Sequence, residues 1–175
     1  MGKLRQRLTI LSLLVLVMLF GCTDIHQQIV AAARQVGDKV VTTPEKVAQE
    51  SNCAKRKQPL VQFESLEVLP EMVNPGARVN YRLIYLMCPL NKFSDTTKAR
   101  VTRSIFFKGD PVARNVKDAF ELKAGRWAVD SFFTLPPEAP LGVYALEVGL
   151  ETSGGHTQKQ IRNFLVSSEF YLGDQ

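Results

Sequence analysis

A series of short segments rich in β-branched and aromatic residues constrains the fold of this 175-residue chain more than any other feature. Proline, glycine and asparagine separate these segments, as at Asn74-Pro75-Gly76 and Gly154-Gly155. Short segments with turn residues between them and no helical pattern predict a mainly β fold, a single antiparallel β-sandwich of seven or eight strands. The expected strands are Leu60–Val68, Arg78–Met87, Arg100–Lys108, Val112–Val116, Phe120–Leu122, Trp127–Leu135, Gly142–Thr152 and Gln158–Val166.

Alternation within single segments supports the strand assignment. Between Gly142 and Thr152, the apolar side chains recur at every second position, and Glu147 and Glu151 occupy the other face. The segment that begins at Trp127 alternates in the same way, with Asp130 on its polar face. A period of two residues is typical of a strand with one buried face. We therefore expect Trp127 and Tyr144 to be core residues.

Three features resemble the immunoglobulin and fibronectin type III class of sandwiches. Val73-Asn74-Pro75-Gly76 leads into an alternating strand, Leu141-Gly142-Val143-Tyr144 is similar to the approach to a tyrosine corner, and a hairpin at Gly154-Gly155 precedes the last strand. The resemblance covers Gln58 to Val166 and implies an Ig-like domain. It departs from antibody domains at Trp127, which lies on a later strand, and at the cysteines, since Cys53 precedes the first expected strand.

The amino terminus has the pattern of an export signal. Lys3, Arg5 and Arg7 give a positive start without acids, and the 13 residues from Leu8 to Phe20 are apolar except for Thr9 and Ser12. A helix of this length would span roughly 20 Å, which is shorter than the roughly 30 Å hydrocarbon core of a bilayer. A charged start followed by a short apolar run predicts a secretory signal peptide over residues 1–21.

The end of this segment, Leu19-Phe20-Gly21-Cys22, resembles the lipobox of bacterial lipoproteins. The resemblance implies cleavage between Gly21 and Cys22, a diacylglyceryl group on the Cys22 thiol, and acylation of the new amino group, for example by palmitate. Phe20 departs from the pattern, because that position is usually small or β-branched. Thr23 follows the cysteine where aspartate would imply retention at the inner membrane, so the resemblance implies an outer-membrane location. The alternative is an uncleaved membrane anchor with an incidental cysteine.

Net charge excludes a nucleic-acid hypothesis based on composition. The chain has 22 Lys and Arg against 17 Asp and Glu, a net charge of +5. Removal of the three cations before Gly21 leaves 19 against 17, a net charge of +2. A strong positive field is the electrostatic signature of nucleic-acid binding, and the mature chain would not have one. We therefore expect no nucleic-acid partner.

Cys53 and Cys88 form an even pair once Cys22 is assigned to lipid. The cell envelope outside the cytoplasm tolerates disulfides, so we expect these two cysteines to be bonded. Two unrelated free thiols are the alternative, because sequence does not establish the distance between them. No Cys-x-x-Cys motif occurs and the two histidines, His26 and His156, are far apart, so we expect neither a metal nor a cofactor.

Residues 22–57 are expected to form a lipidated terminus and a helical linker before a domain over residues 58–175. Apolar residues near helical spacing predict a helix from Asp24 to about Lys39. Thr42 and Glu45, with Pro44 between them, predict a capping box at the start of a second short helix. The linker would either hold the domain away from the bilayer or dock on the domain through its apolar stripe.

The sequence contains no recognisable catalytic motif, and we expect a non-enzymatic protein. Neither Gly-x-Ser-x-Gly nor His-Glu-x-x-His occurs. One hypothesis is an accessory or assembly module of the envelope that binds a protein partner. The outward rings of Phe106-Phe107 and Phe132-Phe133 and the tail Phe170-Tyr171-Leu172 are its candidate interaction surface. The alternative is a small-ligand or glycan-binding module with a concave site lined by Trp127 or by tyrosines.

Overall fold

The computed structural model describes residues 30, 34–56, 59–88 and 96–168. Gly21, Cys22 and the tail Phe170-Tyr171-Leu172 lie outside these residues. Within the described residues, no helix has the length and apolar character needed to span a membrane. The described strands are β1 (Gly37–Thr42), β2 (Leu60–Leu69), β3 (Met72–Val73), β4 (Arg78–Cys88), β5 (Thr96–Phe107), β6 (Asp110–Lys123), β7 (Gly125–Thr134), β8 (Gly142–Thr152) and β9 (Thr157–Val166). Helix α1 spans Pro44–Glu50, and a 3-10 turn spans Cys53–Lys55.

The strands form two sheets, which confirms the mainly β prediction. The four-stranded sheet has the order β1-β7-β4-β2, and the five-stranded sheet has the order β3-β9-β8-β5-β6. All strand pairs are antiparallel except β3 with β9, which is parallel. The nine strands of the described residues exceed the expected seven or eight, because β1 and the two-residue β3 carry no alternation signal.

One hydrophobic core lies between the sheets, and the period-two stripes of the sequence point into it. From the four-stranded sheet, Val79, Tyr81, Leu83 and Tyr85 contribute alternate residues of β4. From the five-stranded sheet, Tyr144, Leu146, Val148 and Leu150 contribute alternate residues of β8. Each stripe packs against the other sheet, because a strand with one apolar face must bury that face.

The helix expected from Asp24 to about Lys39 is wrong at its end, because Gly37–Thr42 form strand β1. β1 pairs with β7, with Gly37 opposite Asp130 and Val40 opposite Trp127. Val40 and Val41 are β-branched, and they are more favourable in a strand at the edge of a sheet than in a helix. The β domain therefore includes residues that the sequence assigned to a tether.

Helix α1 confirms the second helical prediction, but the expected capping box of Thr42 and Glu45 is wrong, because the N-cap residue makes no side-chain capping hydrogen bond. Thr43, not Thr42, is the N-cap residue, and Pro44 occupies the first helical position. Thr42 ends β1, and its hydroxyl accepts a hydrogen bond from Arg126 Nη1 at 3.0 Å. The Glu45 carboxylate accepts hydrogen bonds from the Glu45 backbone N–H and from the Thr43 hydroxyl. These hydrogen bonds lower the pKa of Glu45.

The two strands expected at Val112–Val116 and Phe120–Leu122 are one 14-residue strand, β6. The pairing of β5 with β6 shifts between Ala99 and Val101, so β6 carries one extra residue there. Ala119 has a φ of 55°, a left-handed conformation typical of such bulges. The sequence shows a break in alternation at this point because the bulge reverses the side-chain phase without ending the strand.

The aromatic pairs divide as a strand requires, with one ring inward and its neighbour outward. Phe133 and Phe107 point to the core, where Phe107 stacks on Tyr144 with ring centroids 4.6 Å apart. Phe132 points outward, and the Arg78 guanidinium lies 3.4 Å from its ring centroid. Arg78 thus partly covers this ring. From the sequence, we expected the ring either to be covered by the linker or to form part of an exposed apolar patch. The Tyr144 hydroxyl donates to the Pro140 carbonyl at 2.9 Å, as expected of a residue at a corner.

Candidate ligand-binding cavity between the sheets

A cavity of about 150 Å³ lies between the two sheets on the side where β1 and β6 are the outermost strands. Val36, next to β1, and Lys117 on β6 line it and are both exposed, so the cavity reaches solvent between these strands. The walls are mainly aliphatic and come from both sheets: Leu83, Val129, Val101, Leu122, Val148 and Leu150. A cavity of this size can hold a molecule as large as benzene.

Arg103 is the one basic side chain on the inward face of β5. Its neighbours on that face are Val101 and Ile105, both part of the core or packed against it. The guanidinium Nη1 donates to the Tyr81 hydroxyl at 2.8 Å and to the Ser131 hydroxyl at 3.4 Å. The buried Nε has no hydrogen-bond partner in the described residues. The Arg103 guanidinium therefore extends from the five-stranded sheet to the four-stranded sheet, where it donates to hydroxyl groups and not to a carboxylate.

The Asp38 carboxylate lies on the cavity side of the four-stranded sheet, and it is paired with a cation other than Arg103. Asp130 contributes to the wall, but its side chain shares the outer face of the sheet with Arg82, opposite the face that carries Tyr81 and Ser131. Asp130 is 2% exposed and forms a two-point ion pair with Arg82, with distances of 2.7 Å from Nε to Oδ1 and 2.9 Å from Nη2 to Oδ2. This hydrogen bonding raises the pKa of Arg82. Asp38 on β1 lies 3.0 Å from Lys123 Nζ.

The cavity is therefore positive once the pairs are counted. The Asp38 carboxylate is matched by Lys123, and Arg103 and Lys117 remain without an ion pair in the described part of the chain. Lys117 Nζ instead lies 5.2 Å from the ring centroid of Phe120, which also lines the cavity. Positive charge beside apolar walls favours a ligand with an anionic group and an apolar body.

Tyr85 lies at the inner part of the cavity wall. It is 1% exposed, and its hydroxyl accepts a hydrogen bond from the Lys123 backbone N–H at 3.0 Å. Burial raises the pKa of Tyr85 from 10.0 to about 12. The phenol is therefore neutral at physiological pH, and it adds a polar atom to the wall without adding charge.

The structure bonds Cys53 to Cys88, with Cα atoms 5.5 Å apart. The bond lies beside a small hydrophobic cluster of Val47, Leu86 and Cys88 with Cys53 and Leu60, which is separate from the main core. It is not part of the cavity. Cys22, Gly21 and the Phe170-Tyr171-Leu172 surface lie outside the described residues, so their predictions stay predictions.

Of the aromatic residues that the sequence proposed for a concave site, Tyr81 and Tyr85 line the cavity, whereas Tyr144 and Trp127 do not. Trp127 packs against the core, and its indole N–H donates to the Ala124 carbonyl at 2.8 Å. Sequence reasoning missed Arg103 altogether. Its signal was present, because a charged residue occupies an inward position in the alternation of Ala99, Val101 and Ile105. Among the described residues, no group of three His, Cys, Asp or Glu side chains is placed to hold a metal.

No protein-family model matches the sequence. No curated protein matches it either. Solved structures with a similar arrangement include the alkylpurine DNA glycosylase AlkC of Pseudomonas fluorescens, with 19% identity and a TM-score of 0.44. That match covers 62% of this chain and 30% of the glycosylase, so the chain spans less than half of that protein.

A Niemann-Pick type C2 protein from the Japanese carpenter ant has 7% identity and a TM-score of 0.42, over 61% of this chain and 91% of its own. A conjugative transposon lipoprotein from Bacteroides eggerthii has 14% identity and a TM-score of 0.34, over 62% of this chain and 98% of its own. With TM-scores below 0.5, none of these likenesses supports an inference about function.

Proposed function

We propose that this chain is a lipid-anchored protein of a bacterial envelope whose two sheets form an Ig-like sandwich that binds a small ligand without catalysing a reaction. The observation that carries the proposal is the cavity between the sheets, which joins aliphatic walls from both sheets to a few converging polar groups. Ligand sites in proteins have this composition, with apolar walls for affinity and a small number of polar groups for orientation.

The side chains around the cavity suit binding better than catalysis. No histidine, cysteine or glutamate is among the described residues that line it. Ser131 is the one serine among the described lining residues, and its hydroxyl accepts a hydrogen bond from the Arg103 guanidinium. A guanidinium keeps its proton and therefore cannot act as the base that activates a serine nucleophile. These groups can hold and orient a ligand.

The proposed location rests on the amino-terminal sequence. The short apolar run ends in Leu19-Phe20-Gly21-Cys22, and a lipid on Cys22 would hold the described domain at a membrane surface. Thr23 after the cysteine favours the outer membrane in this proposal. A Cys53–Cys88 bond is compatible with the oxidising envelope, where such bonds persist.

A cavity-filling substitution tests ligand binding. We expect full-length wild-type protein, purified from its own envelope, to release a small molecule on denaturation that mass spectrometry detects. Val148→Phe should release much less of it, because Val148 lines the cavity and is 1% exposed. The matched control is Val143→Phe on the same strand, where the side chain is 60% exposed.

Circular dichroism and a melting curve would first establish that both variants fold. Equal release from the two variants, or no release from the wild type, would refute binding in this cavity.

A protein partner is the second candidate, and the long edge strand β6 favours it. The first ten residues of β6 are all exposed, and Val116 is 44% exposed. Among the described residues, β6 pairs on one side only, with β5. An edge strand of this length presents backbone groups to which a partner can add a strand.

Site-specific photocrosslinking in the cell tests this candidate. A crosslinker at Val116 should give one dominant product if a partner adds to β6. The same group at Val143, which is exposed on the outer face of the inner strand β8, should not. Similar or absent products at both positions would argue against strand addition at β6.

A further inference from the structure

We propose that the cavity binds a small carboxylate with an apolar body, and that Arg103 is the residue that recognises the carboxylate. This inference rests on the proposed ligand-binding function and names the ligand class. It depends on one juxtaposition, a guanidinium that has no ion pair among the described residues and lies in the wall of a mainly aliphatic cavity.

The first step concerns the unmatched charge. An arginine remains charged at any physiological pH, and a charge placed among apolar side chains costs free energy unless an opposite charge or hydrogen bonds compensate it. Arg103 makes hydrogen bonds to described residues only through Nη1, to Tyr81 and Ser131. Its Nε is buried and lacks an acceptor. An anion bound to the guanidinium from the cavity would supply the missing charge and, once the side chain turns toward it, the missing acceptor for Nε.

The second step concerns the kind of anion. The hydroxyls of Tyr81 and Ser131 hold Nη1 on one side of the guanidinium. The opposite edge, formed by Nε and Nη2, makes no hydrogen bond to a described residue, although Nε itself is covered by protein atoms. Arginine binds the two oxygens of a carboxylate through two parallel hydrogen bonds from such an edge, so a carboxylate would bond Nη2 from the cavity and Nε after a small rotation of the side chain. Because Tyr81 and Ser131 bond the opposite side of the guanidinium, they orient it for this contact.

The third step concerns the rest of the ligand. Beyond Arg103 the walls are aliphatic, and Leu122, Val148 and Leu150 are each at most 4% exposed. A volume of about 150 Å³ suits a ring or chain of roughly six carbons, as benzene fits a cavity of that size. Lys117 at the exposed side adds a second positive charge that attracts anions toward the cavity.

A pair of isosteric probes tests the carboxylate. Benzoate and benzamide have almost the same shape, and only benzoate carries a charge at neutral pH. We expect full-length protein in lipid nanodiscs to bind benzoate, measured by isothermal titration calorimetry, about ten to a hundred times more tightly than benzamide. Inorganic phosphate, which lacks the apolar body, should bind more weakly than benzoate.

Substitution of the guanidinium provides the second arm. Arg103→Met keeps an unbranched side chain, shorter than that of arginine, and removes the charge, and it should weaken benzoate binding about tenfold or more while leaving benzamide binding nearly unchanged. Arg114→Met is the matched control, because Arg114 is an exposed residue of β6 and does not line the cavity. Tyr81→Phe, which removes the hydroxyl that orients Nη1, should have a smaller effect in the same direction.

The outcomes separate this inference from the proposed function. Equal binding of benzoate and benzamide, unchanged in Arg103→Met, would overturn carboxylate recognition and leave ligand binding in the cavity intact. Binding of phosphate as tight as that of benzoate would overturn the apolar part of the ligand class. No binding of any probe by a folded wild-type protein would overturn both the inference and the cavity as a ligand site.

Discussion

At the scale of single residues, Tyr85 couples the stability of the core to pH. Burial raises the pKa of its phenol from 10.0 to about 12, and the hydroxyl accepts the Lys123 backbone N–H. Because the folded pKa is above the unfolded value, the neutral phenol is the form that the fold accommodates. Its favourable contribution is fully present below pH 10 and is lost as the pH rises toward 12.

We therefore expect Tyr85→Phe to flatten the alkaline part of the stability profile. Between pH 10 and 12 the wild-type free energy of unfolding should fall by about 2 to 3 kcal/mol more than that of the variant. Urea unfolding at a series of pH values, followed by circular dichroism, measures this difference. Parallel profiles for the two proteins would show that Tyr85 does not titrate with a raised pKa.

At the scale of elements, the close approach of β7 to the junction between β1 and α1 depends on Gly125. Its φ is +105°, and a Cβ atom built there would lie 2.9 Å from the Thr42 carbonyl oxygen and 3.2 Å from Pro44 N. Both contacts are with backbone, which cannot move aside as a flexible side chain can. The first residue of β7 thus determines how tightly β1 and α1 pack on the four-stranded sheet.

Gly125→Ala should lower the free energy of unfolding by about 2 kcal/mol or more, through conformational strain and the backbone clash together. Gly109→Ala is the matched control, because Gly109 has a φ of +92° and a Cβ atom there would meet nothing within 4 Å. The difference between the two variants, measured by urea unfolding, isolates the clash. Equal losses would mean that β1 and α1 adjust without cost.

At the scale of the whole molecule, the Cys53–Cys88 bond ties the segment after α1 to the end of β4. The two cysteines are 35 residues apart in sequence, and closing a loop of that length restricts the unfolded chain. Cys88 is 1% exposed, next to Val47 of α1 in the small outer cluster. The bond therefore holds α1, and β1 before it, against the four-stranded sheet.

Replacement of both cysteines by alanine should lower the free energy of unfolding by about 3 to 4 kcal/mol. A reducing agent should destabilise the wild type similarly and leave the double variant unchanged, which serves as the control for nonspecific effects. Guanidinium unfolding with and without reductant measures both quantities. Wild-type protein that is insensitive to a reductant shown by alkylation to open the bond would contradict this role.

The sequence by itself determined which residues form most strands and which faces they bury. The alternation in β7 and β8 depends only on the period of two residues in an extended chain, so Trp127 and Tyr144 were assignable to the core from the sequence alone. Turn residues between segments likewise predicted a mainly β chain. The lipid-anchor prediction also belongs entirely to the sequence, because it rests on residues before the described domain.

Only the tertiary structure decided what the strands enclose. β1 was missed because an edge strand with both faces largely exposed has no alternation to reveal it, and its register depends on β7, about ninety residues away. The sequence could show that Arg103 is out of pattern, but not that Tyr81 and Ser131 meet it from the opposite sheet. Side-chain periodicity is a local property, whereas a cavity between two sheets arises from non-local packing.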